Sequence, residues 1–243
     1  MPSHPLDVCI EELRGDPGRT WGARDAALAM LMVPVALALA SSLLIALGAP
    51  TVAAAAGGTA AVAGAAVLAG RRAAAQSRGW ERAFGFDAPL WSDSGRIVGW
   101  TIALLLLEVV VAGLLAQVVP ALQDAQASNT ELLQELSFGG LLVFAFLAVT
   151  VAPVLEELVF RGLVLRGLML RVGFWPAALV SSAVFGLLHA TAADASGLLV
   201  VVSITVLGLG LCVLARRTGR LGPGIGVHAL HNAVAVLAVA VTR

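Results

Sequence analysis

The chain contains no lysine and no tyrosine, only two cysteines, and charged side chains at just 12% of its 243 positions. Each scarcity removes a class of protein. Cys9 and Cys212 sit on unrelated segments, so no disulfide framework is expected. Fifteen basic residues, all arginine, balance fifteen acids, and zero net charge offers no basic field for nucleic acid. Usage free of lysine and rich in alanine reflects a high-GC genome rather than a function. What is present is apolar: 59% hydrophobic residues and a mean hydropathy of +0.95 lie well outside the soluble balance.

Seven apolar segments can be marked, at about 26–48, 51–70, 97–120, 138–170, 174–191, 197–215 and 222–241. Runs near 20 residues cross a hydrocarbon core about 30 Å thick. Arginine placement orients them. The leader carries Arg14, Arg19 and Arg24, and the 71–96 loop carries Arg71, Arg72, Arg78, Arg82 and Arg96. Arg161, Arg166 and Arg171 close the fourth segment; Arg216, Arg217 and Arg220 follow the sixth. The opposite ends hold only Arg243 among basic residues, with the acids Asp124, Glu131, Glu135 and Asp194. The positive-inside rule then predicts an all-α polytopic transmembrane helical bundle of about seven spans with a cytoplasmic N-terminus, a multi-pass protein of the cell membrane.

The expected organisation is a cytoplasmic leader at 1–25, N-terminal transmembrane helices over 26–137, and a C-terminal core over 138–243. The first apolar run follows a charged leader and is too long for a signal-peptide core, which argues against cleavage. Trp80, Phe84, Phe86 and Trp91 make 71–96 an interfacial loop with aromatic anchors. Small residues spaced by four, Gly57/Ala61 and Ala60/Gly64, suit close helix packing in the second segment.

Polar residues inside apolar segments carry the functional argument, because an ionisable side chain within a membrane costs roughly 2.5–3.5 kcal/mol on insertion scales. Glu156, Glu157 and Arg161 fall within six positions. Glu157 and Arg161 are spaced i, i+4 and can pair, while Glu156 points about 100° away. Pro153 is expected to kink the helix or to start a new one over about 154–170. Glu156 and His189 lie equally far from the turn around Gly173, so antiparallel helices bring them level, roughly 20–25 Å along each helix. His228 and Asn232 share a face of the last segment, with His231 beside them. Entering from the same end, they come in shallower than Glu156, so the last helix must tilt or start deeper. Glu108, in the third segment, is read as structural.

Glu-Glu-x-x-x-Arg-Gly at 156–162, Phe-x-x-x-His at 185–189 and His-x-x-x-Asn at 228–232, in that order, resemble the CPBP family of intramembrane proteases. That family includes the type II CAAX prenyl endopeptidases and bacterial proteins tied to bacteriocin self-immunity. The resemblance covers about 138–236, and Gly162, Ser181, Ser182 and Gly186 also fit it. It implies that Glu156 activates a water with His189 as its partner, that His228 and Asn232 stabilise the oxyanion, and that Glu157 and Arg161 support the site. Desolvation tunes carboxyl groups towards general-base catalysis, and an amide and an imidazole in a water-poor cavity suit an oxyanion hole.

The cofactor is either none, the preferred reading, or a divalent metal such as Zn2+ held by Glu156, His189 and His228 with an open position for water. The partners expected are the lipid bilayer and a peptide or membrane-anchored protein substrate, with no nucleic acid. Two rival classes remain: a non-catalytic immunity or scaffold protein binding a peptide in the same cavity, and a serine protease built on Asp194-Ala-Ser196-Gly197, which faintly resembles the rhomboid nucleophile loop.

Overall fold

The computed structural model describes residues 4–16, 21–31, 35, 64, 84–122, 136–190 and 194–241. The expected span at 51–70, most of that at 26–48, and the loop residues 71–83 lie outside the described residues, apart from Val35 and Gly64. Six helices frame the rest: α1 (Pro5–Gly15), α2 (Ser94–Val118), α3 (Phe138–Met169), α4 (Phe174–Leu187), α5 (Ala195–Thr218) and α6 (Gly222–Val241). Residues 23–31 are also helical, and no strand occurs among the described residues. The helices containing α2, α3, α5 and α6 are each long and apolar enough to cross a bilayer. The chain is a multi-pass membrane protein.

α4 is shorter than the segment expected at 174–191. Its 14 residues cover about 21 Å at 1.5 Å per residue, less than a hydrocarbon core. It stops because the His189 side chain takes over the end: ring Nδ1 lies 2.8 Å from the Phe185 carbonyl oxygen and satisfies one of the last carbonyls of the helix.

Of the two outcomes expected at Pro153, α3 bends its hydrogen bonding and continues rather than restarting. Leu147–Val151 forms a π turn in which the Ala152 N–H bonds the Leu147 carbonyl. The next bond in that register would run from residue 153 to the Ala148 carbonyl, and proline has no N–H to donate. Asn232 of α6 supplies the missing donor, its Nδ2 lying 2.8 Å from Ala148 O. A second π turn, Leu158–Leu165, carries Arg161 and Gly162.

The arginine-rich ends gather at one end of the bundle. α1 buries Leu6, Ile10 and Leu13 there. Its Asp7 pairs with Arg216 at 2.9 Å, and Arg14 Nη2 reaches the Met169 carbonyl at 3.0 Å. Buried Arg166 donates to the carbonyl of Gly219, whose φ of +70° makes the turn between α5 and α6. Asp87 accepts from Arg220 and from the Gly222 N–H. The leader is therefore packed into the fold. The aromatic anchors expected at 71–96 divide: Phe84 is fully buried against Trp21, with ring centroids 5.5 Å apart, whereas Trp91 is 93% exposed. Trp80 lies outside the described residues.

Candidate active site

The acidic pair sits between the two π turns of α3. Glu157 is buried and its Oε1 accepts from Arg161 Nη1 at 2.8 Å, the i, i+4 pair expected from the spacing. The same oxygen lies 3.1 Å from His228 Nδ1. Arg161 continues across the core to the Gly208 carbonyl at 3.2 Å and stacks over the Phe185 ring at 4.6 Å. Glycine at 208 allows this approach: a Cβ there would come within 2.9 Å of Ser182 Cβ, so α4 and α5 pack with almost no space between their backbones.

Glu156 projects differently. About a quarter of its side chain is exposed, and its Oε2 lies 3.5 Å from His228 Nε2. His228 therefore faces both glutamates, one through each ring nitrogen. His189 makes no hydrogen bond or ion pair with Glu156; its Nδ1 is committed to the Phe185 carbonyl. Phe185 is the common neighbour, with His189 edge-on at 4.7 Å between centroids and His228 at 5.7 Å. The bond to Phe185 O requires Nδ1–H, which leaves Nε2 of neutral His189 as a lone-pair acceptor. Asn232 gives one amide hydrogen to Ala148 O and retains a second.

The depth mismatch expected for α6 is resolved by a deeper start. A Cβ on Gly162 would lie 3.4 Å from Leu221 Cδ1, so α6 begins level with the middle of α3, and its first residues need to climb only to Glu157. Three glycines make room for that start. A Cβ on Gly222 would strike the Ala88 carbonyl at 2.5 Å, one on Gly226 would meet Ile97 at 2.4 Å, and one on Gly224 would press Glu157 Oε2 at 3.1 Å. Glu157 thus lies against the first turn of α6, where the helix dipole favours negative charge. The Gly-Pro-Gly-Ile-Gly run at 222–226 was the available sequence signal for this close packing.

Two further polar side chains converge nearby. His231 Nε2 lies 3.1 Å from both carboxylate oxygens of Glu108, joining α6 to α2. No sequence pattern links them, because 123 positions separate the two.

Among the described residues, no three histidine, cysteine, aspartate or glutamate side chains are grouped as a metal site. Glu156, His189 and His228 therefore do not fit a ligand set in this arrangement. Ser196 is an N-cap component: its hydroxyl donates to Asp194 at 2.5 Å, and that bond, with the Gly197 N–H, holds the Asp194 carboxyl below its usual range. Nothing in this cap activates Ser196 as a nucleophile.

Residues 138–234 match the family described as Type II CAAX prenyl endopeptidase Rce1-like. Over that stretch the chain is similar to the CPBP family. The matched stretch runs from the start of α3 into α6 and contains all six expected site residues. The chain is also similar to the Bacillus subtilis (strain 168) protein named "Putative membrane peptidase YdiL", with 34% identity over 87 residues, or 36% of this chain and 33% of that protein. The chain thus spans about a third of the length of this relative in the matched region. No solved structure matches it significantly.

Proposed function

We propose that residues 138–234 form a CPBP-type intramembrane endopeptidase hydrolysing a peptide bond of a membrane-associated peptide or protein. The observation that carries this reading is the division of the acid pair. Glu157 is 1% exposed and occupied by Arg161 and His228, while Glu156 keeps 23% of its side chain exposed beside the same imidazole. One carboxylate builds the site and the other faces what enters it.

In this reading Glu156 removes a proton from a water whose second hydrogen bonds His189 Nε2. The water oxygen attacks the substrate carbonyl, and the carbonyl electron pair moves onto its oxygen. His228 Nε2–H and the second amide hydrogen of Asn232 receive that oxyanion; each such donor is typically worth about 10²–10³ in rate. Protonated Glu156 then passes its proton to the leaving nitrogen as the C–N bond breaks. No step requires a metal, and nothing in the site requires a prenyl group on the substrate.

The test is cleavage of a labelled peptide library, prenylated and unmodified, by purified protein. Glu156→Gln is expected to abolish turnover while leaving thermal unfolding near wild type; Glu157→Gln is expected to lower the unfolding temperature as well. Turnover is expected to withstand a zinc chelator. Cleavage that survives Glu156→Gln would overturn the assignment, and peptide binding without any cleavage by wild type would favour a non-catalytic immunity or scaffold role.

A further inference from the structure

The contact between Glu108 and His231 is unused by this chemistry and lies in an otherwise apolar setting. Thr101, Leu104 and Glu108 form the inward stripe of α2, at i, i+3, i+7 spacing, while Ile102, Leu106, Leu107, Val109 and Val110 are exposed. α2 and α6 run in the same direction: Ile97 fills the space beside Gly226, Leu104 and Val227 share an apolar cluster, and Glu108 meets His231. Side-chain exposure of the pair is only 12% and 8%. Both Glu108 oxygens stand 3.1 Å from Nε2, so one N–H is shared between them. His231 Nδ1 is buried with no partner, which leaves Glu108 as the one polar group fixing the ring among the described residues.

The geometry of α6 gives this contact its leverage. At about 100° per residue, His231 lies roughly 60° from His228 and 100° from Asn232 around the helix. His228 and Asn232 engage α3, through the glutamates and through Ala148 O, whereas His231 engages α2. Apolar contacts among small residues tolerate sliding and rotation; directional hydrogen bonds do not. The remainder of α6 beyond Asn232 is alanine, valine and leucine. Resting on the peptidase reading above, we propose that Glu108 is a positioning residue: by holding His231 it sets the rotation of α6 at which His228 and Asn232 face the reacting carbonyl together.

The experiment is a double-mutant cycle in the full chain, with kcat, KM and thermal unfolding measured for wild type, Glu108→Leu, His231→Leu and the double variant. Misplacing catalytic groups by about 1 Å can cost on the order of 100-fold. Each single variant is accordingly expected to lower kcat by about 10- to 100-fold with KM within about twofold, and the double variant to lose no more than either single one. Glu108→Gln retains an oxygen that accepts from Nε2–H and is expected to keep most of kcat. Glu108→Asp keeps the charge but withdraws the anchor by one methylene, and is expected to lose kcat several-fold even if the leucine variants do not fold. Wild-type kcat in Glu108→Asp or in folded Glu108→Leu, or losses that multiply in the double variant, would overturn the positioning role alone. Absence of cleavage by wild type would overturn the peptidase reading and this role with it.

Discussion

At the scale of single residues, the decisive contrast is between charges that are consumed and one that is not. Arg161 has a carboxylate, a backbone carbonyl and an aromatic face around it, all inside the core. Removing one partner of such a pair leaves an uncompensated buried charge, at a cost of about 3–5 kcal/mol. Arg161→Met is therefore expected to lower unfolding free energy by about that amount, measured by denaturant titration in detergent. The double variant Glu157→Leu/Arg161→Met should recover part of the loss, because it removes the stranded charge as well as its partner. If the double variant is as unstable as the sum of its single changes, the pair is not the coupled unit drawn here. The spacing of Glu157 and Arg161 made this pair legible in the sequence, since both lie on one helix and one turn apart. The third member was not legible: His228 joins Glu157 across 71 positions, and only the packing of α6 against α3 brings it there.

At the scale of elements, glycine decides how closely helices approach. Gly186 is surrounded, a Cβ there falling 2.3 Å from Thr205 Oγ1 and 2.6 Å from the Val201 carbonyl, whereas Gly99 of α2 has nothing within 4 Å. Gly186→Ala must push α4 away from α5, at an overpacking cost of about 1–3 kcal/mol. Because α4 carries Phe185 and leads directly into His189, the peptidase reading has turnover falling together with thermal stability. Gly99→Ala is expected to leave both unchanged or to stabilise by up to about 1 kcal/mol through helix propensity. Equal effects of the two substitutions would contradict this packing. Pro153 shows where element-level reading runs out. Proline reliably signals a lost N–H, but whether the helix breaks depends on who replaces the donor. Here the replacement is Asn232, 84 positions from Ala148. Local sequence marks the missing bond and cannot mark its rescue.

For the whole molecule, the leader belongs to the folded body. Leu6 has no exposed surface, and Val8, two residues on, is 44% exposed. Truncating a fully buried leucine costs about 2–5 kcal/mol, whereas surface changes stay within about 0.5 kcal/mol. Leu6→Ala should thus lower the unfolding temperature clearly while Val8→Ala does not, a comparison readable by thermal scan. No difference between them would place α1 outside the cooperative unit. Arginine asymmetry anticipated that these ends share one side, and the contacts of Arg14, Arg166, Arg216 and Arg220 bring them together. Composition could not show that the leader is packed there through Leu6, Ile10 and Leu13, because an amphipathic helix suits either a protein or a membrane surface.

The bond from Asn232 to Ala148 also sets an order of events in time. Ala148 is made 84 residues before its donor, and Pro153 offers nothing in the interval. At roughly 5–20 residues per second, that gap lasts about 4–17 s of synthesis. Through that period α3 holds a carbonyl that its own helix leaves unsatisfied at its widest turn, and Glu157 lacks the imidazole that will face it. Both vacancies close when α6 arrives. The contacts of α3 with His228 and Asn232 therefore form only after the last helix has been made, in an order set by the polypeptide itself.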